Sequence, residues 1–267
     1  MNSPDALFSP VTTSKTADDV VAQVEALLLD GVLRSGERLP GERDLALRLE
    51  VSRPVLRDAL KVLEERGLIE SRHGGGTYVA DIIGEVFSRP LIELLNRHER
   101  AALDYLEYRR ELEGLTSELA ARRANAADRE NLARIIGDMR AAHAAGHLQG
   151  ERDADVELHN AVGECAHNTI LLHTLHACYR LLSAGILTQR NAIFEIPGTR
   201  NALLAQHERI VETILGGDPA AARQAAEAHI DFVTATLHEA KRSGEWERVS
   251  RQRLVSRTQS KTARKSA

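Results

Sequence analysis

The sequence predicts a mainly α-helical protein in two parts: three helices with a β-hairpin, then an all-α antiparallel helical bundle. Aromatic residues make up only 3% of the 267 residues, so aliphatic side chains must build the interior. Apolar residues recur at helical spacing through the first part, and one short glycine-rich hairpin pattern follows them. Beyond residue 82 no strand-like alternation occurs and long Ala/Leu-rich helical periods take over.

The first part contains clear helix boundaries. Thr16 is a candidate N-cap and Gly31 a stop for the first helix. Ser52 is the candidate cap of the third, with Pro54 in its first turn and Gly67 at its end. The predicted helices are 16–30, 42–49 and 52–66, and the hairpin pairs residues 68–70 with 77–79 around a turn at 71–76.

The apolar pattern of the second part predicts six or seven antiparallel helices that bury one core. They cover residues 85–95, 100–125, 127–144, 153–167, 169–190, 199–215 and 219–241. The resulting domain plan is a flexible N-terminus (1–14), a first domain (15–80), a linker with the first bundle helix (81–98), an all-α domain (99–243) and a basic disordered tail (244–267).

Several classes of protein are excluded or disfavoured by the sequence. No apolar run approaches the roughly 20 residues that a membrane span needs, and the start of the chain lacks a signal-peptide pattern, so we expect a cytoplasmic protein without a membrane partner. Cys165 and Cys178 are expected to be buried small side chains and not a disulfide framework.

The third predicted helix has the features of a recognition helix. Arg53, Arg57 and Lys61 recur every four residues and so line one strip, with Ser52 at the helix start. The hairpin tip adds His73 and three glycines that permit close backbone approach to DNA. The alternative is a solvated face with Arg57 paired to Asp58 or Glu64, since residues 1–80 sum to about −3.

Residues 39–46, 51–60, 63–69 and 73–79 closely resemble the winged helix-turn-helix of GntR-family transcription regulators. The resemblance places Arg43, Arg53, Arg57 and Gly74 at the family's principal DNA contacts, beside Ser52 and His73. Gly41 departs from the family, which often has Pro or Ala there. The resemblance implies a homodimeric repressor that binds a pseudo-palindromic operator in double-stranded DNA.

The bundle domain contains a candidate metal site. Asp155 and His159 are four residues apart and share a helix face, while His207 and His229 lie on later helices between apolar positions. One carboxylate and three imidazoles suit Zn²⁺, Ni²⁺ or Mn²⁺ with positions left for a ligand. Other histidine pairs have helical spacing as well, and a single buried histidine is commonly a core hydrogen-bonder. These pairs are His143/His147 and His173/His176.

Residues 105–113, 155–159 and 166–168, with His207 and His229, resemble the ligand-binding FCD domain of the FadR subfamily, over most of residues 84–242. The resemblance implies that Asp155, His159, His207 and His229 hold a metal, with Arg109 and Asn168 beside an effector. Alternatively, Arg109 pairs with Glu113 within its helix.

Residues 87–95 further resemble regulators of pyruvate dehydrogenase and lactate utilisation, which implies a small 2-oxo or 2-hydroxy acid effector such as pyruvate, lactate or glycolate. Two other hypotheses remain. An open metal site suits a metal-dependent hydrolase or isomerase, but the sequence lacks the usual catalytic motifs and we expect no enzyme. The other is a DNA-binding protein that responds to no ligand.

Overall fold

The computed structural model describes residues 16–72, 74–82, 89–183, 193, 196 and 198–265. The chain divides into two compact units, with the boundary between residues 86 and 87. The predicted fold class is confirmed: three helices and a two-stranded hairpin form the first unit, and helices form the described part of the second. No helix of the described part is long and apolar enough to cross a bilayer.

The first unit is built from α1, α2, α3 and the hairpin β1–β2. Thr16 caps α1 through a reciprocal capping box with Asp19, and Ser52 caps α3 by accepting a hydrogen bond from Val55 N at 3.4 Å. The bounds are α1 (Ala17–Leu29), α2 (Glu42–Arg48), α3 (Arg53–Glu65), β1 (Ile69–Arg72) and β2 (Gly76–Val79). Both predicted caps are therefore confirmed.

The hairpin is longer than its sequence pattern predicts. β1 extends through Ser71 and Arg72, so the predicted turn at residues 71–76 is too long. The antiparallel register pairs Ile69 with Val79 and Arg72 with Gly76. Ile69 and Val79 are the buried ends of the two strands, and they pack into the same core as Leu56 and Leu63 of α3.

The second unit is a helical bundle with two apolar clusters. Its helices are α4 (Arg89–Arg97), α5 (Glu99–Arg123), α6 (Ala126–Ala144), α7 (Leu148–Cys165), α8 (Thr169–Ser183), α9 (Thr199–Leu215) and α10 (Pro219–Lys265). One cluster joins α5, α6, α7, α9 and α10, and the other joins α5, α8, α9 and α10. The helices α5, α9 and α10 therefore contribute side chains to both clusters.

The start of α7 differs from the prediction. α7 begins at Leu148 and not at residue 153. Gly150 therefore lies inside the helix, where glycine is unfavourable but tolerated. The predicted start of the first bundle helix at residue 85, and the predicted end of α8 at residue 190, lie outside the described residues.

The predicted disordered tail is the largest difference. α10 continues through Lys265 instead of ending near residue 241. Gly244 interrupts a stretch otherwise rich in helix-forming Glu, Arg and Gln, and one glycine costs only about 1 kcal/mol. Side-chain contacts one helical turn apart support this segment: Arg242 lies 5.3 Å from the Trp246 ring centroid, and Arg248 lies 4.0 Å from Glu245.

Both cysteines are free and buried, as expected. Burial raises the pKa of Cys165 to about 12 and that of Cys178 to about 11. The thiols are therefore protonated at neutral pH and act as small apolar side chains.

Candidate functional site

The helix α3 presents its arginines to solvent. Its buried residues are Leu56, Ala59 and Leu63, which face the core of the first unit. The side chains of Arg53 and Arg57 are 57% and 61% exposed. The predicted division of α3 into an apolar face and a cationic face is therefore present.

A carboxylate on α2 joins these two arginines. Arg57 Nε donates to Glu42 Oε2 at 2.9 Å, and Arg53 Nη2 lies 3.8 Å from the same oxygen. The predicted alternative partners of Arg57, Asp58 and Glu64, are not the residues it contacts. Sequence reasoning missed Glu42 because it lies 15 residues before Arg57 and only the fold brings them together.

The other predicted DNA contacts lie at helix ends and in the hairpin turn. Arg43, on α2, has a side chain that is 87% exposed and lies 3.5 Å from Asp44. Ser52 uses its hydroxyl to cap α3. Gly74 has a φ of +71°, which favours glycine in that turn. His73 lies outside the described residues.

The candidate metal ligands converge in the second unit. Asp155 and His159 project from α7, His207 from α9 and His229 from α10, and all four are buried. One potential ligand atom from each lies within 4.8 Å of every other. Within the described residues these form the one such group, and the pairs His143/His147 and His173/His176 do not belong to it.

Two ring nitrogens in this cluster are buried without a hydrogen bond to any described residue: His159 Nε2 and His207 Nε2. His207 Nε2 is 3.2 Å from Asp155 Oδ1 but lacks hydrogen-bond alignment. A buried polar atom without a partner costs about 1–3 kcal/mol. Such atoms therefore suggest an additional binding partner at this point of the bundle.

The opposite ring nitrogens are fixed by hydrogen bonds outside the cluster. His159 Nδ1 lies 2.7 Å from Glu113 Oε2, and since an ionised carboxylate only accepts, the nitrogen donates. His229 Nδ1 donates in the same way to Gln206 Oε1 at 3.0 Å. Both tautomers leave Nε2 unprotonated, with its lone pair available for a cation.

Electrostatics keep this arrangement in its metal-binding protonation state. Burial lowers the pKa of His229 well below its usual range, and the nearby His207 and His159 lower it further. Burial opposes ionisation of Glu113, but the charge of Arg109 and the hydrogen bond from His159 outweigh it and lower the pKa of that carboxyl. A neutral His229 and an ionised Glu113 are the forms that the site requires at neutral pH.

Arg109 is buried and is linked to the candidate ligand His159 through Glu113. Its Nε donates to Glu113 Oε1, which also accepts from the Tyr179 hydroxyl at 2.9 Å. The predicted intrahelical pair with Glu113 is therefore present. Arg109 thus acts on His159 through Glu113, and its place beside an effector stays a prediction.

No described hydrogen bond joins Asn168 to the cluster. It is exposed, and its Oδ1 accepts from Leu171 N at 3.1 Å in the first turn of α8. This contact is typical of a helix N-cap. The geometry gives its predicted effector contact no support.

The four side chains fit a borderline transition-metal ion. Imidazole and carboxylate donors suit Zn²⁺, Ni²⁺ and Mn²⁺. The ligand atoms lie within 4.8 Å of one another, and an ion bound at about 2.0–2.2 Å from each would draw them closer together. Glu113 and Gln206 were not identified from sequence as orienting groups, although Glu113 is four residues from Arg109 and Gln206 precedes His207.

Comparison with known proteins gives two domain matches. The GntR family of bacterial regulatory proteins matches residues 16–79, and the FCD domain matches residues 104–232. These ranges contain the exposed arginines of α3 and the four clustered ligands respectively.

Three relatives cover most of the chain. A protein of Escherichia coli strain K12 named for regulation of the L-lactate dehydrogenase operon is 33% identical over 235 residues, 85% of this chain and 88% of that one. The Glc operon transcriptional activator of the same strain is 33% identical, covering 85% and 91%. The HTH-type transcriptional regulator LutR of Bacillus subtilis strain 168 is 31% identical, covering 79% and 96%.

Among solved structures, GntR of Streptococcus agalactiae is similar at 25% identity and a TM-score of 0.48, covering 81% of this chain and 98% of that one.

Proposed function

Because the chain belongs to the GntR family of bacterial regulatory proteins and carries an FCD domain, we propose that this DNA-binding transcription regulator senses a small carboxylate through a divalent metal ion. The ion is held by Asp155, His159, His207 and His229. The effector occupies the coordination positions that these four residues leave open.

A single observation carries the proposal: two buried histidine nitrogens without hydrogen-bond partners lie beside a third histidine and a carboxylate. Most buried side-chain polar atoms in proteins have a hydrogen-bond partner. Here His159 and His229 use Nδ1 outside the cluster and keep Nε2 for the interior. This is the arrangement that metal-binding histidines adopt in proteins.

The protein's residues fix where an effector can bind. A bound divalent ion supplies open positions for two oxygens of one ligand. Glu113 orients His159, Gln206 orients His229, and Arg109 keeps Glu113 ionised. The four ligands are buried in the bundle, where the lower dielectric constant strengthens the attraction between the site and an anion.

The effector class follows from the site and from the relatives. A 2-oxo or 2-hydroxy acid offers a carboxylate and a neighbouring oxygen, which together can chelate one ion. The relative named for the L-lactate dehydrogenase operon supports a ligand of this kind. Pyruvate, L-lactate and glycolate are the candidates.

On the DNA side, Arg53 and Arg57 contact the operator from α3 in the major groove, Arg43 is a further contact, and the glycine-rich hairpin tip approaches the minor groove. Two copies of the chain bind the two halves of a pseudo-palindromic operator. Repression stays a prediction, since one relative at 33% identity is named as an activator.

The test uses the full-length protein loaded with Zn²⁺ and an operator selected from random duplexes. Operator affinity is measured by fluorescence anisotropy with and without pyruvate, L-lactate or glycolate. We expect one of the acids to change the affinity at least about fivefold, as coupling energies of 1–3 kcal/mol give.

The control is the His207→Ala variant, which should bind the operator but ignore the acid. By linkage, the operator must change the affinity for the acid by the same factor. An operator affinity that none of the acids alters in the metal-loaded protein would contradict the proposal and favour a regulator without a ligand.

A further inference from the structure

A second arginine–glutamate pair lies beside the ligand cluster. Arg200, in the first turn of α9, donates from Nε to Glu151 Oε2 at 3.1 Å and from Nη2 to Glu151 Oε1. Glu151 belongs to the first turn of α7, the helix that carries Asp155 one turn later. This bidentate contact fixes the plane of the guanidinium group.

This pair differs from Arg109–Glu113 in its access to solvent. The side chains of Arg109 and Glu113 are 5% and 6% exposed. In the other pair the side chain of Arg200 is 33% exposed, while that of Glu151 is 8% exposed. Of the two arginines, only Arg200 is therefore open to an anion that arrives from solvent.

A small cavity connects this arginine with the metal ligands. Its volume is about 20 Å³, enough for about one water molecule, and its lining includes Arg200 and Glu151 together with Asp155 and His207. Arg109 does not line it. The cavity therefore joins two of the four ligands to the more exposed of the two arginines.

Arg200 has hydrogen-bonding capacity left for a ligand. A guanidinium group carries five N–H donors, and Glu151 takes one at Nε and one at Nη2. Nη1 has no hydrogen bond or ion pair with any described residue. Glu151 thus orients the arginine without occupying all of its donors.

We propose that Arg200, which lines this cavity, binds the effector's carboxylate, and that Glu151 is the positioning residue that holds the guanidinium group of Arg200. The inference rests on the proposed function and names a residue of the same site. A carboxylate bound by Arg200 would lie beside Asp155 and His207, the two ligands that line the same cavity. Arg109 keeps its partners Glu113 and Tyr179 and acts on the site indirectly, through Glu113.

The experiment compares L-lactate with its neutral analogue lactamide on the Zn²⁺-loaded full-length protein, by isothermal titration calorimetry. Wild type should prefer lactate. In Arg200→Gln the lactate affinity should fall about tenfold, the usual effect of losing a charge-assisted hydrogen bond, while lactamide affinity stays nearly constant. Arg200→Lys should recover part of the preference because it restores the charge but not the planar fork.

Arg140→Gln is the matched control. Arg140, on α6, pairs with Glu208 of α9, is 53% exposed and does not line the cavity. This variant should bind both compounds as wild type does. Zinc content, measured by elemental analysis, should be unchanged in every variant, which separates loss of the ligand from loss of the metal.

The outcomes distinguish the two proposals. If wild type binds L-lactate and Arg200→Gln keeps the same preference over lactamide, the role of Arg200 is overturned and the metal-sensing function stands. If metal-loaded wild type binds none of L-lactate, pyruvate and glycolate, the proposed function itself fails and this inference falls with it.

Discussion

The two units of the chain place the charged side chains of their candidate binding sites in opposite environments. In the first unit Arg53 and Arg57 are more than half exposed and share one carboxylate, Glu42. In the second unit Arg109 and Glu113 are almost fully buried and bond to each other. Exposed ion pairs contribute about 0–1 kcal/mol, whereas removing one partner of a buried pair costs about 3–5 kcal/mol.

The difference fits the proposed partner of each unit, which is DNA for the first unit and a metal ion with its effector for the second. The phosphates of a DNA duplex are exposed to water, and they bind exposed cationic side chains that exchange ion-pair partners at a small cost in free energy. A small ion and its ligand need donors that are already fixed and desolvated. Variants in the two units should therefore separate DNA binding from metal binding, and each should be measured for both.

The largest effect is expected from His229→Ala. It removes one of four ligands. Loss of a hydrogen bond to a ligand lowers metal affinity by at most roughly 100-fold, so the loss of a ligand itself should lower Zn²⁺ affinity by more than that. Titration calorimetry and elemental analysis measure this change. His238→Ala, an exposed histidine on the same helix, is the control and should keep its metal. Unchanged zinc content in His229→Ala would remove this residue from the site.

The next effect is expected from Gln206→Leu. Leucine fills a similar volume but cannot accept the Nδ1 proton of His229, so the tautomer and ring orientation are no longer fixed. Zn²⁺ affinity should fall about 10-fold or somewhat more. Operator binding by the metal-free protein should not change, and a parallel loss of both activities would indicate misfolding instead.

A smaller effect is expected from Arg57→Ala in the first unit. Loss of one charged contact should lower operator affinity about tenfold and leave zinc uptake and dimerisation unaltered. Electrophoretic mobility shift and size-exclusion chromatography provide the two measurements. Arg66→Ala, at the other end of α3 where Arg66 pairs with Glu25, is the control and should bind the operator normally. Equal loss in both variants would count against a specific role for Arg57.

The smallest effect concerns the pH dependence of the metal-free protein. The pKa values of His229 and Glu113 are both lowered in the folded state, so both groups stabilise the fold at neutral pH. That stability is lost as the pH falls below their unfolded pKa values of about 6.5 and about 4.3. The Tm by differential scanning calorimetry should therefore drop by several degrees between pH 7 and pH 4. A Tm that rises in acid would contradict these protonation states.

Much of this molecule follows from local sequence rules. Thr16 and Ser52 cap their helices because hydroxyl oxygens accept from free backbone amides, and that chemistry depends only on nearby residues. The spacing of Asp155 and His159 fixes their common face in the same way. Their meeting with His207 and His229 was predicted through family resemblance, since spacing alone left other histidine pairs open.

The rest depends on contacts between residues far apart in sequence. Glu151 and Arg200 are 49 residues apart, and no spacing rule joins them. Glu42 and Arg57 meet because α2 packs against α3. The helical tail was missed for a different reason: its basic composition suggests disorder, yet its residues have high helix propensity and its neighbours along α10 propagate the helix.

The carboxylate shared by Arg53 and Arg57 bears on how ionic strength acts on the complex with DNA. Each arginine that neutralises a phosphate normally releases close to one condensed cation from the duplex. Glu42 already offsets part of that positive charge. The slope of log affinity against log salt concentration should consequently be shallower than the number of arginines on α3 suggests, and Glu42→Gln should steepen it.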